Sequence, residues 1–207
     1  MRSRKGLMAS VLVAVLVIPS ASVAQRGARL ERPSGDKLKA AIDAHAHDFD
    51  YLLGTWSFTG ENERGKFSGV WKAVRLEGGP ILDEFRVLGD SGETLYYTAT
   101  LRAYNAHDDR WEYVSTESGS GLLKRATARR VGSEMHIEQT FDDRAAGRVV
   151  VSRIRYYNIQ PGRFSWIADR SYDGGKTWNK DDQRIEARRT GPPADSFSLR
   201  LPPANDR

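Results

Sequence analysis

The chain has 207 residues with 32 basic and 27 acidic side chains, four histidines and no cysteine. Without cysteine no disulfide supports the fold, and attachment to a lipid through a cysteine is excluded. The formal charge of +5 falls to +2 when residues 1–24 are set aside, because they carry Arg2, Arg4 and Lys5 and no acid, which is too little to argue for nucleic acid.

The first residues pair that basic start with an apolar run from Leu7 to Ile18, then Pro19 and the small residues Ala21-Ser22-Val23-Ala24. This order predicts a signal peptide over 1–24, because about a dozen apolar residues are too few to span a membrane. The expected product is exported, periplasmic or secreted, with no stable membrane span in the mature chain. Residues 25–46 read as a flexible start followed by a short helix. Asp36 can cap it, and Leu38, Ala41, Ile42 and His45 share one face that could lie across a barrel end.

The roughly 140 residues from His47 to Arg189 suit one domain. Period-two segments recur there at about 55–60, 66–76, 81–88, 94–104, 110–116, 122–131, 134–141, 148–159, 164–171 and 178–189. Turn chemistry separates them, as in Gly78-Gly79-Pro80, Gly89-Asp90-Ser91-Gly92, Gln160-Pro161-Gly162 and Asp173-Gly174-Gly175. Short links between nine or ten strands predict an all-β, antiparallel up-and-down meander. Closure into a barrel removes the two edges that would otherwise pair with other chains. In the fourth segment Leu95, Tyr97, Ala99, Leu101 and Ala103 fall on one side, with Tyr96, Thr98, Thr100 and Arg102 on the other. An outer-membrane barrel would need a continuous apolar outer band, whereas 122–131 and 178–189 place charges on both faces. The stretch 190–207 holds four of the eight prolines and reads as a disordered tail.

Phe49-Asp50-Tyr51-Leu52-Leu53-Gly54-Thr55-Trp56 runs a short helical turn through a glycine into the first strand, and its Gly54-x-Trp56 resembles the Gly-x-Trp start of lipocalins and the wider calycin group. Trp71 before Gly78-Gly79, Tyr104 before Arg110-Trp111, and Phe164-x-Trp166 before Ser171-x-Asp173-Gly174-Gly175-x-Thr177-Trp178 extend the likeness to about 47–189. That pattern is similar to the DUF1579 family of bacterial lipocalin-like barrels of unknown function. The resemblance implies a closed barrel with no established activity or cofactor. It also implies that Trp56 plugs the closed end beneath an arginine of the final strand, Arg184 or Arg188. The segment 171–178 further matches the Asp-box pattern of exported β proteins, in which Asp173 accepts loop amides, Gly175 permits positive φ and Trp178 folds back beneath the hairpin. Several copies mark a propeller; one copy marks a turn.

Candidate chemistry is sparse. His45-Ala46-His47 are two residues apart, a spacing that sends helical side chains in different directions, whereas zinc-binding helices use i, i+4 pairs. No metal site is expected. His136 lies in a strand and, if it pointed inward, could ligate haem as in some calycin-like barrels, but no motif accompanies it and no cofactor is expected. There is no nucleophile signature for acyl transfer. Asp108-Asp109, Asp142-Asp143 and Asp181-Asp182 fall at turns or strand ends, which makes them poor acid–base pairs. Strand alternation divides the basic run Lys124 to Arg130 between two faces, against phosphate recognition.

The barrel interior is the default ligand site of this architecture. Glu84, Arg86, Tyr97, His136, Arg153, Arg155 and Tyr157 are the candidates for groups that orient a small apolar or amphipathic molecule there. A monomer or homodimer binding such a molecule is the leading expectation. A cavity enzyme of isomerase or lyase type, or a packed barrel serving as a protein-interaction scaffold, are the alternatives.

Overall fold

The computed structural model describes residues 34–118, 121–143 and 146–193. The expected signal peptide and most of the proline-rich tail therefore lie outside the described residues. Ten antiparallel strands follow a short helix: α1 (Gly35–His45), then β1 (Gly54–Asn62), β2 (Gly65–Arg75), β3 (Ile81–Leu88), β4 (Thr94–Asn105), β5 (Arg110–Glu117), β6 (Gly121–Val131), β7 (Glu134–Asp143), β8 (Arg148–Gln160), β9 (Arg163–Ser171) and β10 (Asn179–Gly191). Each strand pairs with its neighbours in sequence, and β1 pairs with β10 to close the barrel. The expected up-and-down architecture is present.

Closure depends on local backbone freedom at a few points. Gly69 faces inward in β2, where a Cβ would sit 1.9 Å from the carbonyl oxygen of Arg86 and 2.5 Å from the Phe58 ring. Its absence lets Phe58 stack on Phe85 at 4.5 Å between ring centres. Trp56 and Trp71 are direct cross-strand partners, and so are Trp71 and Phe85. This row, with Tyr156 and Phe164, forms an aromatic layer whose rings meet edge-on or tilted at 4.8–5.8 Å. Such geometry suits the ring quadrupoles.

The closed end is built by the turn before β1. Phe49, Leu52 and Trp56 have no exposed surface, and the Trp56 indole N–H donates to the carbonyl of Leu52 at 2.8 Å. Arg189, not Arg184 or Arg188, lies over the Trp56 ring, 4.1 Å from its centre. Trp56 is the register partner of Arg189, while Arg188 stands opposite Ser57. A step of one residue on a strand changes the face, so Arg188 projects away from the plug.

Helix α1 starts at Ser34, whose hydroxyl accepts the Lys37 N–H at 3.4 Å, with Asp36 inside the first turn instead of at the cap. None of its residues is buried. Ile42 stays about half exposed, so the helix leaves the barrel end to Phe49, Leu52 and Trp56. It meets the barrel through His45, which stacks on Tyr104 at 4.5 Å and bonds the buried Asp48 carboxylate at 2.7 Å.

Candidate functional site

Alternation along the strands sends two sets of side chains to opposite faces, and the buried rows identify the inner set. On β3 it is Ile81, Asp83, Phe85 and Val87; on β4 it is Tyr96, Thr98, Thr100, Arg102 and Tyr104. The inner face of β8 carries Val150, Ser152, Ile154 and Tyr156, and that of β9 carries Phe164, Trp166, Ala168 and Arg170. Above the aromatic layer part of these rows, with Asp83, Arg102, Ser152 and Arg170 among them, lines a cavity of about 500 Å³ that reaches the open end between Asn62, Arg64 and Leu95.

At the base of the cavity Asp83 and Arg102 form an ion pair, with both side chains almost fully buried. Trp71 donates its indole N–H to Asp83 at 2.8 Å. The Arg102 guanidinium also lies 5.1 Å from the Tyr113 ring centre and 5.5 Å from that of Phe49. A charge removed from water is tolerable only when paired and hydrogen-bonded in this way. Burial pushes the phenols of Tyr113 and Tyr156 above their ordinary range. They stay neutral at physiological pH, so they add polarity to the cavity without adding charge.

Higher in the barrel a polar belt crosses four adjacent strands. Gln139 is the register partner of Ser152, Ser152 of Arg170, and Arg170 donates to the side chain of Gln183 at 2.8 Å and to Asp182 at 2.7 Å. On the opposite wall Thr100, Ser115 and Lys124 are successive partners, and the Lys124 ammonium bonds the Tyr96 hydroxyl at 3.1 Å. Phe67, Phe85, Ile154, Trp166 and Ile185 supply apolar surface between these groups. Such a cavity can hold a mostly apolar molecule and orient one polar part of it.

None of the seven expected ligand residues lines this cavity. Glu84 and Arg86 project outward from β3 and pair with each other at 3.1 Å. Tyr97 stands on the outer face of β4. His136 alternates with the buried Met135 and Ile137, so it faces outward, where its ring bonds Glu134 at 2.7 Å. The inward orientation that a haem ligand requires is absent. Arg153, Arg155 and Tyr157 lie on the outer face of β8; Arg153 stacks on Trp178 at 4.1 Å, and Arg155 lies 5.7 Å from the Tyr157 ring centre. The interior positions belong instead to their neighbours by one residue, Asp83 beside Glu84 and Ser152 beside Arg153. A count of parity from Trp56 through its partners Trp71 and Phe85 is the signal that separates the two sets.

His45 and His47 do not converge. Each bonds the carboxylate three residues ahead, Asp48 and Asp50, at 2.7 Å. Among the described residues no group of three or more His, Asp or Glu side chains could hold a metal ion. The loop 171–178 folds around Asp173, which accepts from the backbone of Lys176 and Thr177 at 3.0 and 2.9 Å and from the Thr177 hydroxyl at 2.7 Å. Gly175 sits at φ +92°, donates to Ser171, and accepts the Trp178 indole N–H at 3.0 Å. These bonds are internal to the loop, which lies at the barrel mouth.

No helix among the described residues is long and apolar enough to cross a membrane. No protein-family model matches the chain, and no curated protein matches it. Among solved structures the chain is similar to Rv2717c from M. tuberculosis, at 14% identity over 72% of this chain and 96% of that one, with a TM-score of 0.49. It is also similar to a redesigned β-barrel, b11L5F_LGL, at 12% identity over 68% and 92% of the two chains, with a TM-score of 0.36. A second redesigned barrel, mFAP1 bound to DFHBI, matches at 13% identity over 67% and 93%, with a TM-score of 0.33.

Proposed function

We propose that this chain is an exported binding protein that carries a small, partly apolar molecule inside its barrel. The cavity of about 500 Å³ carries the reading. It exceeds the ~300 Å³ at which ligand pockets begin, and its walls alternate aromatic surface with a few convergent polar groups. The scaffold alternative requires a filled interior, which this volume disfavours. An isomerase or lyase needs convergent titratable groups free to exchange a proton with substrate; here Asp83 is committed to Arg102 and Trp71. Export rests on the pattern of residues 1–24, and membership of the DUF1579 family on the residues that carry the resemblance.

Native mass spectrometry of the full chain purified from its own host tests the proposal. A bound species of a few hundred daltons, released on denaturation, is expected. Protein that carries no adduct, and whose tryptophan fluorescence is unmoved by a panel of apolar and amphipathic compounds, would overturn it. N-terminal sequencing of the same material tests export, with Gln25 the expected first residue.

A further inference from the structure

The cavity holds polar atoms that the protein itself leaves incomplete. Ser152 is fully buried, and its hydroxyl oxygen has no hydrogen-bond partner among the described residues; the same is true of Arg170 Nε, which is buried although the residue reaches the cavity. The two residues are direct partners across β8 and β9, so they project from the same inner face at the same level. The other nitrogens of Arg170 are already directed at Asp182 and Gln183, which fixes the plane of the guanidinium and leaves Nε as the donor to be met. Guanidinium nitrogen only donates, and a serine hydroxyl can donate beside it. What completes both is an acceptor oxygen.

The rim and the two donors give that oxygen its sign. Arg64 and Lys66 stand at the mouth of the cavity, while below them Arg102 and Arg170 are each paired with a carboxylate, Asp83 and Asp182. Asp83 is spent on Arg102 at the base. The cations at the mouth draw an anion toward the cavity, where the two unmet donors wait for an acceptor. A buried group that only donates costs free energy until an acceptor arrives, and an anionic acceptor forms the stronger bond.

Resting on the reading of the barrel as a carrier, we infer that its ligand is an amphipathic organic acid: an apolar, ring-sized body lies against Phe85 and Trp166 while a carboxylate or sulfonate oxygen sits between Ser152 Oγ and Arg170 Nε. A neutral apolar molecule would leave both donors unmet, and a cationic head would offer them no acceptor.

A matched pair of fluorescent probes tests this on the full chain. 1-Anilinonaphthalene-8-sulfonate and N-phenyl-1-naphthylamine share an aromatic body, and the first alone bears an anion. The anionic probe is expected to bind at least about tenfold more tightly, the increment of a hydrogen bond to a charged group. R170M and S152A are each expected to weaken the anionic probe by about fivefold or more while leaving the neutral probe within about twofold. S152A removes a single oxygen and keeps the test usable should R170M not fold, and R153A on the outer face is expected to change neither probe. Equal binding of the two probes, or indifference of the anionic probe to both interior variants, would overturn the anionic head and leave the carrier reading standing. Binding of neither probe would remove the carrier reading and this inference with it.

Discussion

Arg189 lies over the indole of Trp56 while its guanidinium donates to three backbone carbonyls, those of Leu53 at 2.5 Å, Pro161 at 2.7 Å and Tyr51 at 3.3 Å. One side chain thus ties the last strand, the β8–β9 turn and the turn before β1 across the closed end. Gly54 permits the approach: it sits at φ +116°, and a Cβ there would fall 2.5 Å from the guanidinium. A shielded cation–ring contact contributes ~0.5–2 kcal/mol and a charge-assisted hydrogen bond ~1.5–3 kcal/mol, and the two are not additive. R189A is expected to lower unfolding free energy by about 2–4 kcal/mol in urea titrations, whereas R188A stays within about 0.5 kcal/mol as a surface change. G54A should destabilise too, and in a double-mutant cycle with R189A the two losses should sum to more than the double variant shows. Equal effects of R188A and R189A would show that the stack is not what secures the plug.

The base of the cavity offers a second contrast. Asp83 accepts from Trp71 and pairs with Arg102, and removal of the carboxylate leaves a guanidinium buried without its counter-charge. D83A is expected to cost about 3–5 kcal/mol, because the loss of one partner from a buried pair is worse than the loss of both. The double variant D83L/R102L should recover most of that loss in the same titration. A double variant less stable than D83A would show that the pair contributes net stability beyond mutual compensation.

The strand boundaries were readable because each is punctuated by turn residues such as Gly78-Gly79-Pro80 or Asp173-Gly174-Gly175, whose backbone preferences are local. The inward face was not readable in the same way. Alternation sorts β4 into two sets, but both contain apolar side chains, and it is the outer set that leaves Leu95, Tyr97 and Leu101 exposed. The inner set includes Thr98, Thr100 and Arg102 because the cavity is itself polar, so hydrophobicity alone could not choose between them. A step of one residue separates Arg189 at the plug from Arg188 on the outer face, and Asp83 and Ser152 inside the barrel from Glu84 and Arg153 outside it, while the other expected plug residue, Arg184, lies on the outer face as well. Register is a long-range property: Trp56 opposes Arg189 only because β1 and β10 meet, with an irregularity between Thr55 and Trp56.

Helix α1 buries none of its residues and is tied to the barrel mainly through His45, on Tyr104 and Asp48. Helical residues without a buried face add little to global stability. H45A is expected to speed amide exchange across 35–45 while global stability falls by less than about 1 kcal/mol. D48A should cost more, since Asp48 is buried and also accepts the Trp111 indole N–H at 3.1 Å. Unchanged exchange in H45A would mean that the helix is held by something other than this histidine.

At the mouth of the barrel, the Asp173 carboxyl is held well below the usual carboxylate range, first by the Thr177 N–H, then by the Thr177 and Ser171 hydroxyls. Because the folded pKa is depressed, the unfolded chain binds the proton more readily. The stabilisation is therefore complete above the unfolded value of about 4 and is lost as pH falls from there through the lower folded value. Unfolding titrations between about pH 5 and pH 2 should show wild-type stability falling more steeply with acid than that of D173N, by up to one proton. At neutral pH D173N should raise amide exchange at Lys176 and Thr177, whose N–H groups lose an anionic acceptor, and leave the barrel strands protected. Parallel acid profiles for the two proteins would show that the charge on Asp173 is not what closes the loop.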